Sequence, residues 1–348
     1  MPPWARERAA VAAHCKRVRE AVAKHRTRYL AKARPFLAKL RPAGLPQKVL
    51  YPFGGADLLS ALTTYPDAKE ITTISLEHSG DPRPALTLRG AELDAHLTAA
   101  GKHIAGFLAY ANSKSTTLMK LQRGPISGEL ALFVAALAVH DLEPVDLRYF
   151  SIEPDGSLRY VDAATVAAHH GKRGKRRSSG WLRPSSSPAF ANYELSYRAR
   201  SKGGAAASAR GAVRVHRHIA ANLANAHYKR EGPLALHLRA KGKVAAMTKA
   251  ASYLLWSDDF SEIRRTLTEQ ATFMISDSTG VPPRYARAAG FTQTTYGRYS
   301  GCFFKKRFVR SHDAAFKALW AAQPRRALPF RYGYPDRDGH FHMLVATR

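Results

Sequence analysis

The chain has 348 residues, 45% of them hydrophobic and 10% aromatic, which is enough to bury a full core as one large domain or two smaller ones and too apolar for a disordered chain. Two cysteines, Cys15 and Cys302, exclude a disulfide scaffold and a cysteine-rich zinc site, and the apolar run from Glu129 to His140 falls well short of the roughly 20 residues that cross a bilayer. The formal net charge is +29, and its distribution says more than its sum.

Residues 1–47 hold 12 Lys/Arg against 2 Asp/Glu, residues 169–210 hold 10 against 1, and residues 284–348 hold 13 against 3. Between them, residues 48–168 hold 10 against 14 and residues 211–283 hold 10 against 6. This layout predicts a near-neutral α/β body with basic appendages. Such appendages attract a polyanion, whether nucleic acid, acidic polysaccharide or an anionic membrane surface. A solvated, solubilising face is the plainer alternative.

From Trp4 to Ala33, Val11, Cys15, Val18, Val22 and Tyr29 recur at spacings of three, four and seven, which predicts an amphipathic helix with a basic outer face that Pro35 bends or ends. Its start carries no apolar signal region, so the protein is expected to be cytoplasmic if Met1 is the native start and exported if a leader was removed. Lys48 to Phe53 then reads as a strand, Gly54-Gly55 as a loop, Asp57 to Tyr65 as a helix and Glu70 to Leu76 as a β-branched strand. Glu92 to Ala109 and Gly128 to His140 read as helices. Val145 to Ile152 and Leu158 to Val161 read as a hairpin around Pro154-Asp155-Gly156.

The basic and serine-rich stretch 169–210 predicts an exposed flexible loop or insertion. Beyond it, Ala212 to His216 and Val244 to Leu255 read as strands or strand-to-helix junctions, Phe260 to Gln270 as a helix, and Thr272 to Ser276 as a strand ending at Asp277. Phe330 to Tyr334 and His340 to Thr347 would close the chain as an antiparallel hairpin. The expected organisation is a basic helical segment over 1–47, a first α/β half over 48–168, the basic loop over 169–210, and a second half over 211–348 in the same sheet.

Val49-Leu50-Tyr51-Pro52-Phe53-Gly54-Gly55-Ala56-Asp57 carries a strand into a glycine turn and a helix N-terminus, where ligands meet unpaired backbone donors. Glu77 ends the next strand about 20 residues on, the place of a ribose-binding acid in dinucleotide folds. Residues 48–77 thus resemble the opening of class I S-adenosylmethionine-dependent methyltransferases, although Pro52-Phe53 stands where those enzymes have a more glycine-rich turn. The resemblance implies an α/β fold with a Rossmann-like, mostly parallel sheet and flanking helices, to which the N-terminal helix and C-terminal hairpin are added. It also implies S-adenosylmethionine held by Gly54, Gly55, Asp57 and Glu77. Read structurally, the glycines only turn the chain, Asp57 caps the helix and Glu77 is a surface acid.

Asp277-Ser278-Thr279-Gly280-Val281-Pro282, followed by Arg284 and Tyr285, would bring a carboxylate, hydroxyls and a cation to the carboxyl edge of the sheet near Lys249. Asp277, Lys249 and Tyr285 are the candidate catalytic residues and Arg284 a candidate substrate contact, against the plainer reading of an Asx-type turn. Tyr51 to Asp57 and Asp277 to Pro282 also resemble the Tyr-Pro-Phe-x-Gly-x-Asp and Asp-x-x-Gly-x-Pro signatures of an uncharacterised bacterial family. That family brings no activity, and export signals on its members would argue against a cytosolic cofactor.

Arg298 and Tyr299, with Tyr296 and Lys305 to Phe308, interleave rings and cations as nucleic-acid grooves and sugar clefts do, and are candidate substrate contacts. The same rings would serve equally as core. The pairs His216/His218 and His340/His342 each present two imidazoles to one side of a strand, yet no dependable third ligand accompanies them, so a metal is not expected. Three functions remain in view: a methyltransferase-like enzyme on a polyanionic substrate, a cofactor-free polyanion-binding protein (with an acidic-polysaccharide lyase as its enzymatic form), and a nucleic-acid-binding module.

Overall fold

The computed structural model describes residues 3–110, 128–168, 188–200, 211–299, 307–333 and 341–348. The chain forms an α/β protein around one ten-stranded mixed sheet in the order β4-β3-β5-β6-β2-β1-β7-β8-β10-β9. The centre is built from β1 (Lys48–Pro52), β2 (Glu70–Ser75), β6 (Arg214–Ala220), β7 (Val244–Thr248) and β8 (Ala271–Ser276). These five run parallel, β1 pairing with β2 on one side and β7 on the other. Both faces of the centre are covered, and β7 accordingly reads Val-Ala-Ala-Met-Thr and is buried throughout.

Helices cover the two faces in separate groups. On the first face, Leu58 to Leu62 of α3 (Leu58–Thr64) pack with Tyr29, Leu37, Val49 and Tyr51, and α4 (Gly90–Tyr110) and α5 (Leu130–Val139) join the same cluster. The long N-terminal helix α1 (Pro3–His25), a π turn at Arg26–Leu30 and α2 (Ala31–Leu40) lie over it. The helix thus runs past Pro35, which the sequence marked as its bend or end. Burial of Ala33 and Leu37, both 0% exposed, carries it through the lost hydrogen bond. After the short helix α6 (Ala163–Ala168), α7 (Pro233–Arg239), α8 (Ser261–Gln270), α9 (Pro283–Ala288) and α10 (Arg307–Ala321) contribute to the core on the opposite face.

The sheet departs from the mostly parallel expectation. On one side, β5 (Asn192–Ala199) runs antiparallel to β6 and to β3 (Leu142–Ile152), which forms the expected hairpin with β4 (Leu158–Tyr160). On the other, β10 (His342–Thr347) is antiparallel to both β8 and β9 (Thr292–Gly297). Short connections such as the one between β3 and β4 reverse the chain, and only long crossovers return it parallel.

Two expectations change in detail. The partners of β10 are β8 and β9, where a hairpin with residues 330–334 was expected; His342 donates its N–H to the Tyr332 carbonyl at 3.4 Å, and Tyr334 lies outside the described residues. The strand β5 falls within 169–210, where a flexible loop was expected; 169–187 and 201–210 lie outside the described residues. Glu70, at the amino edge of the sheet, accepts from Arg217 and Lys241, while Glu194, opposite Arg217 in mid-sheet, accepts from Arg148, Arg217 and Tyr160. Burial pushes the Glu70 carboxyl up, but the two cations outweigh it and hold it down at about 2.

Candidate functional site

The chain leaves β1 in one direction to β2 and β6, and later resumes on the other side of β1 with β7 and β8. The strand order therefore reverses between β1 and β7, and the carboxyl ends of these two strands are the position at which ligands of open α/β sheets bind. Lys249 follows the last residue of β7, Asp277 follows the last residue of β8, and Asp57 ends the loop after β1. All three are almost completely buried.

Asp57 ties these strand ends together. One carboxylate oxygen accepts the Ser60 N–H at 3.1 Å, capping α3. The other accepts from the Tyr51 hydroxyl at 3.1 Å and from Lys249 Nζ at 3.1 Å. Lys249 also donates to Ser60 Oγ at 3.0 Å and lies 5.4 Å from the centre of the Tyr332 ring. Burial and then the Asp57 charge push the Tyr51 hydroxyl well above its ordinary range, so it stays protonated and donates.

Asp277 makes the expected Asx turn, accepting from the Thr279 N–H at 2.9 Å and from the Thr279 hydroxyl. Beside it the hydroxyls of Tyr332 and Ser278 are buried without hydrogen-bond partners among the described residues. Such orphans are uncommon in native interiors. The backbone here is closely packed: a Cβ on Gly333 would fall 2.8 Å from Asp277 Cβ and 2.7 Å from His342 Nε2.

The loop after β1 is strained. Phe53 has φ 61°, a left-handed conformation that costs a bulky residue on the order of 1–3 kcal/mol, and Gly55 has φ 50°. The Phe53 ring sits edge-on against Phe260 at 5.7 Å, and the Gly54 N–H donates to the Ile74 carbonyl at 3.1 Å, closing the turn onto β2. Glu77 lies just past the end of β2 at the same edge, half-buried, and its carboxylate has no hydrogen-bond partner among the described residues.

The remaining candidates stand elsewhere. Tyr285 is bracketed by the guanidinium groups of Arg264 at 3.9 Å and Arg284 at 4.4 Å, and its hydroxyl reaches Asp258 at 3.4 Å. These neighbours belong to the opposite face from Tyr51 and Tyr332, so Tyr285 and Arg284 form a group apart from the Asp57–Lys249 pair. Tyr299 donates to the Asp313 carbonyl of α10 at 2.9 Å and packs on Trp320, while the Arg298 N–H bonds the Phe341 carbonyl. Comparison with protein-family models, curated proteins and solved structures finds no match.

A second buried cluster, not singled out as a unit from the sequence, lies behind Glu77. The Tyr193 hydroxyl donates to His216 Nδ1 at 2.8 Å, and His216 Nε2–H donates to Thr73 Oγ1 at 2.9 Å. The Thr73 hydroxyl donates in turn to His218 Nδ1 at 3.1 Å, whose Nε2–H reaches the Glu77 carbonyl at 2.9 Å. His216 and His218 do face one way, as their spacing predicts, and they share Thr73; His340 lies outside the described residues.

Burial drives the His216 imidazole well below its ordinary range and His218 down to about 4, so both are neutral at pH 7. Glu129, 1% exposed, has both carboxyl oxygens without a hydrogen-bond partner among the described residues. Burial and then the Glu77 charge push its carboxyl well above the usual range. It lies 3.6 Å from His218 Nε2, and burial favours the neutral form of both groups. Among the described residues, no group of three or more His, Cys, Asp or Glu is arranged to hold a metal ion.

Proposed function

We propose that the protein is a methyltransferase-like enzyme with a Rossmann-type centre, which takes an adenosyl cofactor at the ends of β1 and β2 and a polyanionic substrate through its basic flanks. The observation that carries this reading is the strand order. The parallel strands, taken in chain order, lie 3-2-1-4-5 across the sheet, the doubly wound order whose reversal point takes a nucleotide. The helices that follow β1 and β7 lie on opposite faces, as that winding requires.

The residues at this point fit the group in part of the expected set. Glu77 has a carboxylate available for ribose hydroxyls, and the Phe53–Ala56 turn lies beside it at the same sheet edge. Asp57 is spent on Ser60, Tyr51 and Lys249, so it positions the loop rather than the cofactor. S-adenosylmethionine bound there would supply an electrophilic methyl group. The chain would contribute the diol contact of Glu77 and the buried Lys249 and Asp277 side chains at the neighbouring strand ends.

Thermal unfolding with S-adenosylmethionine or its demethylated product tests this. Both ligands at millimolar concentration should raise Tm, since a ligand at 100 times its Kd adds about 2.7 kcal/mol to stability, and Glu77→Ala should abolish the rise. No shift of the wild-type chain with either ligand would sink the reading. The capture of Asp57 by Lys249 favours a second reading, a cofactor-free polyanion-binding protein for acidic polysaccharide or nucleic acid. Affinities for heparin and for DNA at the same salt concentration separate these partners, and equal affinity that salt abolishes for both would leave only bulk charge.

A further inference from the structure

Two of the three basic segments meet in space. A cavity of about 680 Å³ opens between α1, the π turn, the end of α4 and residues 328–331, a volume typical of small-ligand sites. Arg17, Lys24, Arg28 and Lys32 line it from the N-terminal helix and Arg331 from the C-terminal segment, with Glu20 the acid among the described lining residues. Lys24, Arg28 and Lys32 follow one another at intervals of four and have no ion-pair partner among the described residues. Like charges so spaced on a helix repel. An anion between them would turn that cost into a gain.

The rest of the wall is apolar and aromatic: Leu108, Tyr29, Phe330 and Phe341 line it, the Arg331 guanidinium lying 5.5 Å from the Phe341 ring centre. His25, 4% exposed, belongs to the same wall. Its Nδ1–H donates to the Leu108 carbonyl at 2.7 Å, which leaves Nε2 a buried acceptor with no hydrogen-bond partner among the described residues. A merely solvated basic face would have neither the concavity nor the aromatic lining.

We infer that this cavity is a binding site for an amphiphilic organic anion, a phosphate or sulfate monoester carried on an apolar or aromatic body. The cations hold the anionic head and the rings cover the body. This site is separate from the cofactor position at Glu77, and its occupancy does not depend on an adenosyl ligand.

Calorimetric titration of the full chain tests it with octyl phosphate, adenosine monophosphate and inorganic phosphate. At least one of the two organic phosphates should bind at least tenfold more tightly than inorganic phosphate; the octyl compound points to a lipid-like source and the nucleotide to an aromatic one. The exposed triple variant Lys24→Ala/Arg28→Ala/Lys32→Ala should weaken that binding at least tenfold with an unchanged Tm. The charge-matched variant Arg230→Ala/Lys243→Ala/Arg287→Ala should leave it within twofold. Absence of binding by both organic phosphates, equal binding of inorganic phosphate, or equal loss in the two triple variants would overturn the inference.

Discussion

Lys249→Ala should cost the protein about 3–5 kcal/mol, because it leaves the Asp57 carboxylate buried without its cation. The neighbouring Tyr51 hydroxyl and Ser60 N–H would remain, but two neutral donors do not replace an ammonium in a site from which water is largely excluded. Asp57→Ala should cost a similar amount, with about 1 kcal/mol of it from the lost cap on α3. The double variant Asp57→Asn/Lys249→Met removes both charges and keeps the cap, so it should be far milder than either single change. Urea unfolding read by tryptophan fluorescence measures all three. A loss under about 1 kcal/mol in Lys249→Ala would show that the pair does not hold the ends of β1 and β7 together.

The ends of this pair were legible in the sequence and the pairing was not. Asp57 stands at a helix start after an apolar strand, and Lys249 follows a run of small apolar residues, so each can be placed at a strand end by local pattern. Their contact joins residues 192 apart, and nothing local announces it. The β1-α3-β2 unit was readable for the same local reasons, within a residue or two at each end.

The misses have identifiable causes. In β5, Tyr193, Leu195 and Tyr197 alternate with Glu194, Ser196 and Arg198, a strand pattern hidden inside a stretch whose composition reads as loop. The Thr-rich β9 lacks that alternation of apolar residues, and its edge position needs none. In α10, Val309, His312, Phe316 and Trp320 lie three or four apart and face the core, a helical stripe overlooked beside the basic run that precedes it. The charge count foresaw basic flanks but not that two of them converge on one cavity, which only tertiary structure shows.

Glu129 was the least legible of all, since an acid at a helix start ordinarily reads as a solvated partner of the helix dipole. Its burial gives the other large prediction. A carboxyl whose pKa is raised on folding binds its proton more tightly in the native state than in the unfolded chain. Its contribution to stability is thus full below the unfolded value near 4.5 and is lost as pH rises towards the folded value. Over that window the wild-type chain should lose about 1.4 kcal/mol of stability per pH unit on this account, and Glu129→Gln, neutral at every pH, should not.

The advantage of Glu129→Gln should therefore widen steadily from pH 5 upwards, measured by urea unfolding at successive pH values. Parallel stability curves for the two proteins would mean that Glu129 is ionised in the fold. Glu77 supplies an independent check, because its charge is the second cause of the shift. In Glu77→Gln the carboxyl of Glu129 is released from that repulsion, so the loss of stability should level off at a lower pH than in the wild type. An adenosyl ligand hydrogen-bonded to Glu77 would screen the same charge and act in the same direction, which ties the titration of the buried acid to occupancy of the proposed site.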